Sequence, residues 1–94
     1  MIVLSPDAVA DVERLRTFLD QVNPEAARRA MAAILTAIER LQEFPDLGMP
    51  TSDADIRQMV VRFGASGYIV RYTVIAATAD ILITRIWHGR GART

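Results

Sequence analysis

The chain has 94 residues, 51% of them hydrophobic and 23% charged, a balance that specifies one globular core and excludes a disordered chain. It contains no cysteine and one histidine, which excludes disulfides, thiolate nucleophiles and an ordinary zinc site. Its formal net charge is zero, but residues 1–55 hold five arginines against ten acids and residues 56–94 hold six arginines against one acid, Asp80; two such halves can steer an acidic partner to one side of the molecule.

The opening MIVL is a short apolar run that stops at Ser5 and Pro6, and it predicts an edge-length strand. Ser5 is suited to cap a helix, with Pro6 at its first position and Asp7 favourable to its dipole. Val9, Val12, Leu15, Leu19 and Val22 then recur every three or four residues, predicting a buried stripe on a helix that runs to about residue 22. Acids such as Asp7 and Asp11 are assigned to its solvated face. Asn23 and Pro24 repeat the start signal. Ala27, Ala30, Met31, Ile34, Ile38 and Leu41 continue the helical period, and Phe44 and Pro45 close it. Two helices joined so tightly predict an antiparallel hairpin. Residues 45–55, PDLGMPTSDAD, are dense in turn formers and read as loop.

The rest is β. IRQMVVRF, GYIVRYTVIA and DILITRIWH are rich in β-branched and aromatic residues and separated by short breaks, so they predict antiparallel neighbours. Alternation assigns Met59, Val61, Phe63, Tyr68, Val70, Tyr72, Val74, Leu82 and Ile86 to the face packed on the helices. Gln58, Val60, Arg62, Ile69, Arg71, Ile83, Arg85 and Trp87 fall on the opposite face, because unpaired arginines are costly to bury. A bulge could flip part of any strand. The order β-α-α-β-β-β predicts an α+β fold, a two-layer sandwich with an antiparallel sheet packed on a helical hairpin. We expect residues 1–94 to form a single domain. The acidic start without a basic leader region, and the lack of an apolar run near roughly 18 residues, lead us to expect a cytoplasmic protein with no membrane partner.

The arginines and apolar residues of the outer sheet face form the most informative pattern. Arginine and tryptophan are enriched in interaction hot spots, and a bare apolar sheet face is an aggregation hazard, so this face predicts a docking surface and an isolated chain prone to self-association. His88 could carry protons, although a lone histidine at a strand end is ordinarily structural. Tyr68 and Tyr72 read as core aromatics. GASG at 64–67 lacks the spacing of a phosphate-binding loop. All eleven cationic side chains are arginine, whose planar fork suits carboxylates and phosphates but whose high pKa suits proton transfer poorly. No cofactor or metal is expected.

LSPDAVADVERLRTFL, NPEAARRAMAAILTAIERLQEFPDLGMP, VVRFGASGYIVRYTV and ILITRIWHGR, in that order and spacing, resemble the RelE/ParE superfamily of bacterial toxins from type II toxin–antitoxin pairs. EFPDLGMP and the terminal HGR look closest to its ParE-like branch. The resemblance implies a βααβββ sandwich and a toxin that poisons DNA gyrase by protein contact, with no catalytic residues of its own and no direct DNA binding by the toxin alone. It also implies neutralisation by a cognate antitoxin whose acidic, amphipathic C-terminal segment lies on the sheet and along the hairpin; the outer-face alternation and the terminal cluster give Arg62, Arg71, Ile83, Arg85, Trp87 and Arg90 as the residues expected to bind antitoxin or target. The alternative implied by the RelE-like branch is a ribosome-dependent endoribonuclease that cuts mRNA, using His88 with Arg71 and Arg85 as phosphate clamps. This sequence departs from that branch in having no lysine and no tyrosine after its last strand. A detoxified domain that only binds antitoxin is a third reading.

Overall fold

The computed structural model describes residues 1–89. In chain order the elements are β1 (Ile2–Leu4), α1 (Pro6–Val22), α2 (Pro24–Arg40), β2 (Met49–Pro50), β3 (Arg57–Phe63), β4 (Ser66–Ile75) and β5 (Asp80–His88). The two helices pack on one face of a five-stranded sheet of order β1-β5-β4-β3-β2. The sheet is mixed, since β1 runs parallel to β5 and every other pair is antiparallel. The expected layers and element order are those observed. The parallel pair follows from α1 and α2 carrying the chain between β1 and the rest of the sheet, and β2 is a short strand inside the segment read as loop.

Local chemistry sets the helix ends. The Ser5 hydroxyl accepts the Ala8 N–H at 3.1 Å, satisfying one of the donors a helix start leaves without a partner. Asn23 serves both helices. Its N–H donates to the Leu19 carbonyl at 2.9 Å and ends α1, while its Oδ1 accepts from Glu25 N and Ala26 N and starts α2. The hairpin is therefore tight.

The second helix buries Ala27, Ala30, Ile34 and Ile38, with Leu41 just beyond it, as its period predicts. The first is rotated from its predicted stripe. Ala8, Asp11 and Leu15 are buried, whereas Val9 and Val22 are exposed. On the sheet Met59, Val61, Tyr68, Val70, Tyr72, Ile81, Ile83 and Ile86 complete the core. Val74, expected inside, is 37% exposed near the end of β4.

The start of β5 reverses the expected alternation. Tyr72 faces Ile83, Arg71 faces Arg85, and Thr84 has no residue of β4 opposite it. This is a one-residue bulge, and it flips the side chains before it relative to those after it. Ile81 and Ile83 therefore point inward, and Ile83 is fully buried rather than on the outer face.

Tyr72 anchors the connection from α2 to β3. Its hydroxyl donates to the Pro45 carbonyl at 2.7 Å and accepts from Gly48 N–H at 2.8 Å. A Cβ on Gly48 would come within 2.7 Å of that hydroxyl and 2.8 Å of the ring, so the close approach requires glycine. Arg57 braces the same segment by donating to Gly48 O at 2.6 Å.

Candidate functional site

The sheet face turned away from the helices is built in cross-strand rows. Val60, Ile69 and Trp87 stand opposite one another across β3, β4 and β5. The next row holds Gln58, Arg71 and Arg85, and Arg62 faces Gly67 on the other side. Side chains in such rows interact directly. Val60 is 51% exposed, Ile69, Arg71 and Trp87 are half-buried, and Arg62 is exposed.

Two arginines directly opposite should repel, and the structure separates their roles. Arg71 stays on this face: its Nε donates to Gln58 Oε1 at 2.9 Å and its guanidinium carbon lies 4.9 Å from the Trp87 ring centroid, within cation–π range. Arg85 is taken up by Asp11 of α1, its Nε bonding Oδ2 at 2.8 Å and its Nη2 bonding Oδ1 at 3.2 Å. Asp11 also accepts the Ile86 N–H at 2.8 Å and a bond from Arg14 Nη2. At 3% exposure Asp11 is not on a solvated face. Burial, the largest influence on its carboxyl, raises its pKa, but the bonds and charge from Arg85, Ile86 and Arg14 outweigh it and hold the pKa below the usual 3.8.

His88 faces Tyr68 across β4 and β5, with their rings edge to face at 5.2 Å and 88°. Burial raises the pKa of the Tyr68 phenol, partly offset by a bond with Ser66. Burial also raises that of Tyr72, against the Gly48 bond and the charge of Arg57. Both tyrosines are core residues, as expected.

Of the residues expected to bind a partner, the structure thus brings Arg62, Arg71 and Trp87 together on the outer face. It commits Arg85 to Asp11, places Ile83 in the core, and leaves Arg90 outside the described residues. The sequence reading missed Asp11. The signal was its spacing with Ala8, Leu15 and Leu19, which puts an acid inside the apolar stripe and demands a cationic partner. A groove of about 270 Å³ between the helices is lined by Arg16, Asp20, Ala27, Arg28 and Met31. Among the described residues no group of three or more metal-ligating side chains occurs, and no helix is long and apolar enough to cross a membrane.

Comparison with known proteins agrees with this architecture. Residues 2–93 match the model of the family described as ParE toxin of type II toxin–antitoxin system, parDE. The chain is 39% identical over 85 residues to Toxin RelE3 of Caulobacter vibrioides, covering 90% of this chain and 89% of that one. It is 32% identical over 88 residues to Toxin RelE1 of the same organism, covering 94% and 91%. Its fold is similar to that of a chain in a solved structure titled chromosomal ParDE TA system from P. aeruginosa, with a TM-score of 0.72, 20% identity and coverage of 93% and 92%. With nearly its whole length matched by the family model, the chain belongs to the ParE toxin family of type II toxin–antitoxin systems.

Proposed function

We propose that this toxin inhibits DNA gyrase in the cytoplasm by protein contact, without chemistry of its own, and is silenced by a cognate antitoxin in a hetero-oligomer. The observation that carries the reading is the engagement of Arg85, a phosphate clamp in the nuclease alternative, by a buried carboxylate. A group so held is poorly placed to meet a scissile phosphate, because releasing it would leave Asp11 buried and partly unpaired. The ring of His88, the proton carrier of that alternative, is packed on a buried tyrosine.

The outer face has the opposite character. Val60, Ile69 and Trp87 form an apolar row beside Arg62 and Arg71, a combination that accepts an amphipathic segment carrying Asp or Glu. The groove between α1 and α2 extends the path for an antitoxin segment along the hairpin. Arg62, Arg71 and Trp87 are the docking residues we assign, with Arg90 a further one.

Relatives named RelE keep the ribosome-dependent nuclease as the second reading. Induction of the chain in cells without antitoxin separates the two. The proposal expects gyrase-dependent DNA breaks and intact mRNA; ribosome-dependent mRNA cuts without DNA breaks would overturn it.

A further inference from the structure

The stretch Ile81, Leu82, Ile83 is apolar at three consecutive positions, so alternation alone fits the core in either of two registers. One buries Leu82 and turns Ile81 and Ile83 outward; the other does the reverse. A shift of one residue exchanges the faces of a strand, so something outside β5 must choose between them.

The choice coincides with the place where β5 loses its neighbour. β1 pairs only with Ile81, Leu82 and Ile83, because after Leu4 the chain turns into α1. Residues 84–88 would then expose a bare edge. Groups at the start of α1 take it over. Ser5 N–H donates to Ile83 O at 2.9 Å, the Ser5 hydroxyl donates to Thr84 O at 3.0 Å, and Asp11 accepts the Ile86 N–H. The bulged Thr84 sits between these contacts, its own hydroxyl donating to Arg71 O at 3.2 Å. Only with Thr84 unopposed does Ile86 N–H meet the Asp11 carboxylate while Ile83 still pairs with Leu4.

We propose that Asp11 is a positioning residue that fixes the β5 bulge and thereby decides which side chains form the outer face. It draws Arg85 to α1 and, by seating the bulge at Thr84, turns Ile81 and Ile83 into the core and Leu82 outward, while Trp87 faces Ile69 in either register. Asp11 itself touches no partner. Its bearing on partner binding rests on the outer face being the docking surface, as proposed above.

Trp87, the only tryptophan, is a built-in control, because it faces Ile69 in either register. The test uses the full chain with Asp11→Asn, which keeps a carbonyl oxygen for Ile86 N–H, and with Asp11→Ala and Asp11→Leu, which offer no acceptor, the leucine filling the space so that α1 stays packed. In Asp11→Asn, NMR should show Tyr72 still facing Ile83 and Trp87 emission near that of the parent. In Asp11→Ala and Asp11→Leu, Tyr72 should face Thr84 and Thr73 face Ile83, Trp87 should still face Ile69, and the Ile86 amide should exchange at least ~10-fold faster while the Val61 amide keeps its protection. An intact bulge in Asp11→Leu would overturn the proposal, as would equal acceleration of Ile86 and Val61 or loss of folding in both variants, since each makes Asp11 a stability residue only. Antitoxin affinity is measured on the same samples. A shifted register with unchanged affinity would uphold the positioning role and place the docking contacts away from residues 81–83.

Discussion

Arg71 lies over the Trp87 ring, its guanidinium carbon 4.9 Å from the centroid, while its Nε is held by Gln58. The contact pre-orders both side chains, so less freedom is lost when a partner covers them. Trp87→Ala is expected to weaken antitoxin binding by about 2 kcal/mol or more, roughly 30-fold in Kd, chiefly through a faster off-rate. Arg71→Ala should act in the same direction and less strongly. Arg62, exposed and without an ion pair among the described residues, should affect mainly the on-rate, with an effect that fades at high salt. Surface plasmon resonance at low and high salt checks this ordering; equal small effects at all three positions would mean that the face is merely solvated.

Gly48→Ala tests the Tyr72 anchor. The added methyl would overlap a ring that is fully buried, and overpacking of that kind costs about 1–3 kcal/mol. The expected result is a lower urea midpoint with an unchanged slope. An unaltered midpoint would mean that the α2–β3 connection moves aside freely.

Asp11 gives the fold an acid limb. Unfolded, its carboxyl titrates near 3.8, and folded it titrates lower. Its contribution is therefore present in full above the unfolded value and is lost as pH falls through the folded one. Asp11→Asn should lower stability near neutrality by roughly 1–3 kcal/mol, a range reduced for the exposure of Arg14 and Arg85. Below about pH 4 the gap should narrow. Urea titrations of both proteins at several pH values measure it, and a gap independent of pH would contradict the ionised pairing.

For His88→Ala we expect antitoxin binding near that of the parent and toxicity reduced only in part, through the lost contact with Tyr68. Removal of a general acid or base would instead cost roughly 10²–10⁴-fold in rate. Growth arrest after induction, with antitoxin affinity as the control for folding, distinguishes the two.

The helices were legible because their signals are local. Ser5, Pro6, Asn23 and Pro24 act within a few residues of themselves, and the period of α2 holds from Ala27 to Leu41. On β3 and on β4 as far as Tyr72 alternation was enough, since Arg62 and Arg71 interrupt the apolar run and mark its outer side; beyond it Val74 is exposed where the strand ends. It failed at β5, where Ile81, Leu82 and Ile83 are interchangeable to a pattern of period two and the deciding group, Asp11, lies about seventy residues away in sequence. The residues proposed for docking inherit that division: Arg62, Arg71 and Trp87 share the outer face as read, Ile83 is turned inward by the bulge, and Arg85, in the outer row opposite Arg71, is drawn off by Asp11. The two-residue β2 was hidden by Gly48 and Pro50, which signal a turn.

Supercoiling by purified gyrase, with the purified toxin added alone, with its antitoxin, or as the Trp87→Ala variant, tests the central claim most directly. The account predicts that the toxin alone blocks supercoiling, that the antitoxin restores it, and that ribosomes loaded with mRNA and given the same toxin yield no cleavage products. Unimpeded supercoiling together with mRNA cleavage that is abolished by His88→Ala would contradict it.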